Sequence, residues 1–209
     1  MINSFNVTFP DEIFWFMHDL GVSFSANPCT AKPNDPEEVK ALAISPTQYA
    51  VFLLRLLELW LKLDDKSFRI RPLDDIVKGV LGKQPSLCRY LGDCARYITI
   101  DSNGDVYPCD AFLDGNYLLG NLVEQGLQGI FAGAALVSYY ESRSTMWHAC
   151  RQCEWFLICK GGCMREWEGK KEIADPRDEE FCGARRWLFT QARAKLAQLG
   201  YEVQNVTTG

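Results

Sequence analysis

In the first part of the chain, the spacing of apolar and polar residues follows the helix period in some segments and the strand period in others. Residues 9–21 (FPDEIFWFMHDLG) predict a short helix, with a proline near its start and a glycine after its end. Residues 22–26 (VSFSA) alternate apolar and polar side chains and predict a strand. Residues 27–44 contain three prolines and predict a loop.

A long helix is predicted from Pro46 to about Leu63. Ser45 is suited to cap its first turn, and Gln48, three residues later, completes a capping box. The apolar run inside this helix is interrupted by charged residues at spacings of three and four, which are Arg55, Glu58 and Lys62. They form one polar stripe on an otherwise buried helix and argue against a membrane span.

A second short strand is predicted at residues 68–72 (FRIRP), followed by a helix that ends near Gly82. Strand and helix therefore alternate along this part of the chain, as they do in a parallel α/β layer. Arg69 and Arg71 are compatible with a barrel interior or with water, and the solvent-facing position is favoured.

The second half of the chain differs from the first, because cysteines and glycines become frequent. Residues 97–109 (YITIDSNGDVYPC) predict a hairpin whose Asn-Gly turn needs positive φ. One or two helices are predicted within 126–147, and an irregular segment within 150–176. A last helix is predicted over 178–198, with one apolar face formed by Phe181, Ala184, Leu188, Ala192 and Leu196.

Composition and charge disfavour several classes of protein. The 209 residues suggest one large domain or two small ones, and a hydrophobic content of 47% is enough to form a core. A net charge of −5 disfavours nucleic acid as the main partner, because phosphate binding needs clustered Lys and Arg. The first residues have no basic start and no long apolar run, so no secretory signal is predicted and a cytoplasmic location is expected.

The most unusual feature of the composition is its cysteine content. The nine cysteines are at positions 29, 88, 94, 109, 150, 153, 159, 163 and 182. Their number is odd and no export signal is visible, so metal binding is favoured over a disulfide framework.

The densest group of cysteines is CRQCEWFLICKGGC, residues 150–163, and three interpretations of it are open. The thiols are free and structural, or they bind zinc, or they bind iron–sulfur clusters. Zinc is disfavoured because only His18 and His148 are available and the Cys159-x3-Cys163 spacing is unusual for a second zinc pair. Four thiolates bind one [4Fe–4S] cluster and eight bind two, and eight cysteines remain when the distant Cys29 is set aside.

The spacing of the later cysteines resembles the SPASM domain, the auxiliary-cluster domain of many radical S-adenosylmethionine enzymes. The residues that carry the resemblance are Cys94, Gly104, Cys109, Cys150, Cys153, Cys159, Cys163 and Cys182. Cys88 adds an eighth thiol, as in the anaerobic sulfatase-maturating enzymes, and the segments GDVYPCD and YLLGNL are also similar to that subgroup. The resemblance covers residues 85–185 and, more weakly, 5–84, where LGVSFSANPC resembles a late barrel strand.

The resemblance implies an α+β fold in two parts. Residues 1–84 would be a remnant of the last βα units of a radical S-adenosylmethionine barrel, and residues 85–209 a SPASM domain with a hairpin and a C-terminal helix. It also implies two [4Fe–4S] clusters. One would be bound by Cys88, Cys94, Cys109 and Cys163, and the other by Cys150, Cys153, Cys159 and Cys182.

The resemblance further implies a catalytic role for Asp110, which follows the cluster ligand Cys109. In the sulfatase-maturating enzymes the matching aspartate is the proposed base that deprotonates the target Cys or Ser, while the alternative is an ordinary turn aspartate. His148 and the aromatic residues Trp147, Trp155, Phe156 and Trp167 are expected to pack around the ligands rather than to bind metal or substrate.

The C-x3-C-x2-C motif with which these enzymes hold S-adenosylmethionine does not occur in the sequence. The chain is therefore not expected to cleave S-adenosylmethionine alone, and this cofactor with a third [4Fe–4S] cluster is expected only in a complete enzyme. A fragment, a mis-started product and a subunit of a split enzyme all remain open.

The implied parent activity is a radical S-adenosylmethionine oxidoreductase that converts Cys or Ser of a polypeptide to formylglycine. Cross-linking of a ribosomal peptide precursor is the main competitor within the family. A non-catalytic iron–sulfur module for electron transfer or peptide binding is the alternative from another class. The expected partners are a polypeptide substrate and a separate radical S-adenosylmethionine half, and neither nucleic acid nor a membrane is expected.

Overall fold

The structure is a computed structural model that describes residues 1–32, 34–168 and 176–205, with the side chains of 144–147, 149 and 176 left out. The described chain forms two compact units, one of residues 1–85 with 176–205 and the other of residues 86–168. The C-terminal helix thus packs with the first unit, whereas the sequence grouped it with 85–209. The predicted family domains, 1–84 and 85–209, stay a prediction.

The elements are helices of 4 to 19 residues and strands of two or three residues, which agrees with the predicted α+β class. The first unit contains α1 (Pro10–Asp19), β1 (Phe24–Ser25), α2 (Glu37–Leu42), α3 (Pro46–Leu63), β2 (Ile70–Arg71), α4 (Leu73–Val80) and α9 (Glu180–Gln198). The second contains α5 (Cys88–Leu91), β3 (Thr99–Ile100), β4 (Asp105–Tyr107), β5 (Gly120–Asn121), α6 (Leu122–Phe131), α7 (Ala134–Cys150) and α8 (Phe156–Cys159).

Helix α3 begins with the predicted capping box. The Gln48 amide donates to Ser45 Oγ at 3.1 Å, and the Ser45 amide donates to Gln48 Oε1 at 2.9 Å. These two bonds satisfy amides that have no partner inside the helix. The helix ends at Asp64, which takes the left-handed conformation with φ of 49°. Its buried residues are Ala50, Phe52, Leu53, Leu56, Leu57 and Leu59.

The two strands of the first unit pair in parallel, as predicted, with Phe24 opposite Ile70 and Ser25 opposite Arg71. Arg71 is exposed, and Arg69 is also exposed and pairs with Asp74 at 3.2 Å. Both arginines therefore face solvent, as favoured from the sequence.

The prediction of a loop over residues 27–44 was wrong in one place, because α2 lies inside it. Pro36 precedes this helix, and Glu37 and Glu38 occupy its first turn. Proline at a helix start and acidic residues in the first turn both favour helix formation, so the same proline that indicated a loop begins a helix.

One stretch, Glu37–Leu63, has the length and hydropathy of a membrane span, which is weak evidence because a core helix passes the same test. The backbone is extended at Ala43 and Ser45, so the stretch is not one continuous helix. The apolar face of α3 packs against α1 and α9, so the core of the first unit already accounts for these apolar residues.

Helix α9 buries the face that the sequence predicted, with Phe181, Leu188, Ala192 and Leu196 inside. Phe189 is also fully buried. Polar contacts hold the helix to α3, because Lys195 pairs with Glu58 at 2.7 Å. The last helix is therefore an integral part of the first unit.

The second unit contains the predicted hairpin, extended by a third strand in the antiparallel order β3-β4-β5. Gly104 takes positive φ, at 86°, and Asn103 does not. The turn is held by Asp101, whose Oδ1 accepts from the amides of Asn103 at 2.8 Å and Asp105 at 3.1 Å. An aspartate that accepts from amides further along the chain replaces the expected pair of positive-φ residues.

The segment predicted to hold one or two helices contains both α6 and α7. Helix α6 starts earlier than predicted and is interrupted at Gly126, where φ is 66°. From the end of α7 to residue 168 the chain is mostly irregular, as predicted, apart from α8 and a 3-10 turn at Met164–Trp167. Residues 169–175 of the predicted irregular segment lie outside the described residues. A small core joins the sheet to the helices through Val106, Leu119, Ile130 and Leu136.

The burial of Phe189 predicts that truncation of this side chain destabilises the first unit. We expect Phe189→Ala to lower the free energy of unfolding by about 3–5 kcal/mol, since the cavity adds to the lost transfer energy. Chemical denaturation measures this loss. The exposed neighbour Thr190 provides the control, because Thr190→Ala should change stability by less than about 0.5 kcal/mol.

The capping box predicts a smaller loss. Ser45→Ala removes the side-chain acceptor for the Gln48 amide and should cost about 1 kcal/mol of unfolding free energy. Val51, which is exposed on the same helix, serves as the comparison through Val51→Ala. Equal denaturation midpoints for the two variants would contradict a stabilising cap.

Candidate metal centre

Cys88 and Cys94 are separated by one helical turn and a tight reversal of the chain. Cys88 begins α5, and its carbonyl accepts from the amides of Gly92 at 2.9 Å and Asp93 at 3.2 Å. Gly92 has φ of 70°, a conformation that glycine adopts without strain. The reversal ends α5 and leads the chain to Cys94.

Cys109 lies directly after β4, at the end of the hairpin. Its thiol donates to Asp110 Oδ1 at 3.1 Å, and its sulfur accepts from the Ala111 amide at 3.5 Å. Burial raises the pKa of this thiol to about 12; the Ala111 amide opposes the rise, whereas the Asp110 carboxylate adds to it. The thiol is therefore protonated at neutral pH in the metal-free chain.

Cys163 follows a loop of three residues that all lie in the left-handed region. Lys160, Gly161 and Gly162 have φ of 51°, 78° and 73°. Two glycines make this run possible, because residues with a Cβ adopt it only at a cost. The backbone carbonyls of the loop accept hydrogen bonds from two side chains that lie in the interior of the unit, Arg143 and Trp167.

An apolar cluster brings these segments together. Phe112, Tyr139 and Met164 are buried against one another, and Cys94 and Cys109 pack on them. Arg165 donates to the Ala111 carbonyl at 2.6 Å, which joins the turn after Cys163 to the segment after Cys109. Residues distant in sequence thus meet around one apolar core.

The thiols of this group are close enough to influence one another's ionisation. Burial raises the pKa of Cys94, and Cys163 and Cys88 add to the rise. Burial is also the main cause of the raised pKa of Cys163, to which Cys88 again contributes. Two cations oppose these effects, since Arg143 favours the thiolate of Cys94 and Arg89 that of Cys163.

These four thiols fit a [4Fe–4S] cluster in their chemistry. Cys88, Cys94, Cys109 and Cys163 form no disulfide, and two of them, Cys94 and Cys163, have a cation near enough to favour their thiolates. Across the part of the chain that the structure describes, no three His, Cys, Asp or Glu side chains converge on a point where one metal ion would sit. In a cluster each thiolate binds a different iron, so the sulfurs stand further apart than the ligands of a single ion.

The other predicted ligands lie in two different units. Cys150 ends α7, Cys153 follows in a turn in which its amide donates to the Cys150 carbonyl at 3.0 Å, and Cys159 ends α8. Cys182 lies in the first turn of α9, in the first unit. Their joint role in a second cluster stays a prediction.

The remaining candidates are distributed as follows. Asp110 is exposed and contacts Cys109, and His148 is exposed near the end of α7. Trp155 and Trp167 are buried, whereas Phe156 is half-buried under the Lys160 ammonium, which lies 5.1 Å from its ring centroid. The described aromatic residues are therefore packing residues around the loop. The side chain of Trp147 lies outside the described part.

Two residues of this site were not singled out from the sequence. Tyr139 and Arg143 lie four residues apart on α7, and both side chains are largely buried beside Cys94. Residues at this spacing share one face of a helix. In the sequence, a tyrosine and an arginine one helical turn apart, upstream of Cys150, are only a weak indication of a functional site. Their place in the site is recognised once the structure puts the thiols around them.

A comparison with protein families finds one match, SPASM, described as an iron–sulfur cluster-binding domain, over residues 88–154. This range starts at the first cysteine of the clustered group and includes the hairpin and the start of the dense motif. The segment therefore has the sequence features of an iron–sulfur cluster-binding domain.

Curated relatives extend the similarity to most of the chain. A cysteine-type anaerobic sulfatase-maturating enzyme of Clostridium novyi is 32% identical over 192 residues, which cover 89% of this chain and 50% of that protein. The serine-type enzyme of Bacteroides thetaiotaomicron is 24% identical over 87% of this chain and 48% of its own length. The chain thus spans about half the length of the curated relatives it matches.

Solved structures show the same fold. Native anSMEcpe with bound AdoMet has a TM-score of 0.75 and 23% identity, covering 95% of this chain and 55% of that one. The structure of the same protein with AdoMet and the Kp18Cys peptide gives equal values. In sequence and in fold, the chain is therefore similar to the SPASM-bearing portion of the anaerobic sulfatase-maturating enzymes, a group of radical S-adenosylmethionine proteins.

Proposed function

We propose that the chain binds two [4Fe–4S] clusters. The first is held by Cys88, Cys94, Cys109 and Cys163, and the second by Cys150, Cys153, Cys159 and Cys182. The observation that supports this proposal most directly is that Cys94 and Cys109 pack on one apolar cluster, with Cys163 and Cys88 close enough to influence the pKa of Cys94. The second set rests on spacing and on similarity to the SPASM domain.

We infer further that these clusters serve an enzyme that oxidises a side chain of a polypeptide. Its relatives include both cysteine-type and serine-type sulfatase-maturating enzymes, so the proposed reaction is oxidation of Cys or Ser to formylglycine. In this proposal the S-adenosylmethionine-binding half and its own cluster complete the enzyme. When bound, an iron–sulfur cluster supplies a one-electron acceptor.

Asp110 is the proposed base for this reaction. The oxidation removes a hydrogen atom from the β-carbon of the target, a proton from its thiol or hydroxyl, and one further electron. The hydrogen atom would go to the radical that the S-adenosylmethionine-binding half supplies. Serine then gives the aldehyde directly, whereas cysteine gives a thioaldehyde that water hydrolyses to the aldehyde with release of hydrogen sulfide. The carboxylate of Asp110 is exposed and lies next to a proposed ligand, so a proton can reach it from a substrate near the cluster. As a cluster ligand, Cys109 would be a thiolate with no proton to donate, and the Asp110 carboxylate would be left to accept one from the substrate.

Metal analysis of anaerobically purified protein tests the clusters. We expect about eight irons and about eight sulfides per chain, and about four of each after Cys163→Ala, because a ligand of only one cluster is removed. Cys29→Ala is the matched control and should retain all of them, since Cys29 lies in the first unit and outside both sets. A colourless protein with one or two zinc ions would refute the proposal.

Replacement of Asp110 tests the base. In the complete enzyme, Asp110→Asn should reduce turnover by about 10²–10⁴-fold with unchanged iron content, because the amide accepts no proton. Glu124→Gln, which removes another exposed carboxylate of the second unit, should leave turnover intact. Full activity of the Asp110 variant with intact clusters would exclude this role.

A further inference from the structure

Arg143 is a buried cation in the middle of α7, with 5% of its surface exposed. It donates from Nη1 to the Gly162 carbonyl at 2.8 Å and from Nη2 to the Lys160 carbonyl at 2.8 Å. A buried guanidinium is costly unless its donors are used, and here two of them bind one short segment of backbone. The residue therefore serves a defined geometry rather than general packing.

The segment that Arg143 binds is the loop Lys160–Gly162, which lies between Cys159 and Cys163. All its carbonyls accept from side chains, because Trp167 Nε1 donates to the Gly161 carbonyl at 2.9 Å. The backbone of the loop is left-handed throughout. This conformation is sterically unfavourable for Lys160, because Lys160 has a Cβ. External hydrogen bonds from Arg143 and Trp167 oppose that cost and hold one conformation.

The same face of α7 also reaches the thiols. Tyr139 lies one turn before Arg143 and belongs to the buried cluster against which Cys94 and Cys109 pack, while Arg143 binds the Gly162 carbonyl, next to Cys163. A hydroxyl donor and a fixed positive charge are thus presented side by side to the proposed first ligand set. Hydrogen bonds to cluster sulfurs and nearby charge are the means by which a protein changes the potential of such a cluster.

We propose that Arg143 is the positioning residue of the Lys160–Gly162 loop, and that Tyr139 and Arg143 together raise the reduction potential of the first cluster. This inference rests on the proposed function, because it needs a cluster at Cys88, Cys94, Cys109 and Cys163. The reduced cluster carries one more negative charge, so a neighbouring cation and a donor to its sulfur stabilise it more than the oxidised form. The electron released by substrate oxidation is then accepted more readily.

Variants at these positions separate the two roles. Arg143→Met removes both the charge and the donors, whereas Arg143→Lys keeps the charge but lacks the planar fork that spans two carbonyls. Tyr139→Phe removes only the hydroxyl. Ser142→Glu is the matched control, because it makes the net charge more negative by one unit, as Arg143→Met does, at an exposed position of the same helix.

The positioning role is measured in the metal-free protein by amide hydrogen exchange. We expect exchange of the amides at residues 161–163 to become at least about tenfold faster in both Arg143 variants and to be unchanged in Tyr139→Phe and Ser142→Glu. If Arg143→Met fails to fold, Arg143→Lys decides. Exchange in the folded Arg143 variants equal to that of the parent would overturn the positioning role.

The electrostatic role is measured after reconstitution, by redox titration followed by electron paramagnetic resonance. Arg143→Met should lower the equilibrium constant for one-electron reduction of one cluster about tenfold, or about 59 mV, and leave the other cluster unchanged. Tyr139→Phe should shift the same potential in the same direction, while Arg143→Lys and Ser142→Glu stay near the parent. A parent-like potential in Arg143→Met would refute the electrostatic role. Where Arg143→Met does not fold, a parent-like potential in Tyr139→Phe would refute it.

Failure of this inference is distinguishable from failure of the proposed function. A parent protein without iron refutes the clusters and with them the electrostatic role, while hydrogen exchange still decides whether Arg143 positions the loop. A parent with about eight irons whose variants keep both parental potentials and parental exchange refutes only the inference.

Discussion

The second unit depends on burying several thiols beside one another, which is unfavourable unless they bind metal or keep their protons. In the metal-free chain they keep their protons, because burial raises the pKa of Cys94, Cys109 and Cys163. The packing that holds them there is modest, since it consists of a small apolar cluster and single bonds such as that from Arg165 to the Ala111 carbonyl. Metal binding by these thiols therefore adds to the stability that the packing already provides.

Local signals were sufficient for most elements of the first unit. The capping box of α3, the apolar face of α9 and the strand at Ile70 are each specified by residues close together in sequence, and the structure contains all of them. The exception is α2, where Pro36 indicated a loop although proline equally begins a helix. Which unit α9 joins depends on long-range packing, which a periodic pattern does not encode.

The candidate site was less accessible to local reasoning. Spacing groups Cys163 with Cys159, yet in the structure Cys163 influences Cys94 and Cys109, and only the family resemblance indicated that pairing. Arg143 and Tyr139 carry no motif at all, because their importance arises from the direction of α7 relative to the loop and the thiols. Such positions are defined by tertiary structure and become visible when distant segments are brought together.

The loop Lys160–Gly162 shows why one segment links stability to function. It separates Cys159, a member of one proposed ligand set, from Cys163, a member of the other, so its conformation affects the positions of both sulfurs. Two glycines permit the left-handed backbone, but they do not select it, because glycine can adopt many other backbone conformations. Selection requires donors from outside the loop, and the buried Arg143 and Trp167 provide them. Burial raises the pKa of Cys94, and the guanidinium that orders the loop opposes this rise, so the same residue affects both geometry and electrostatics.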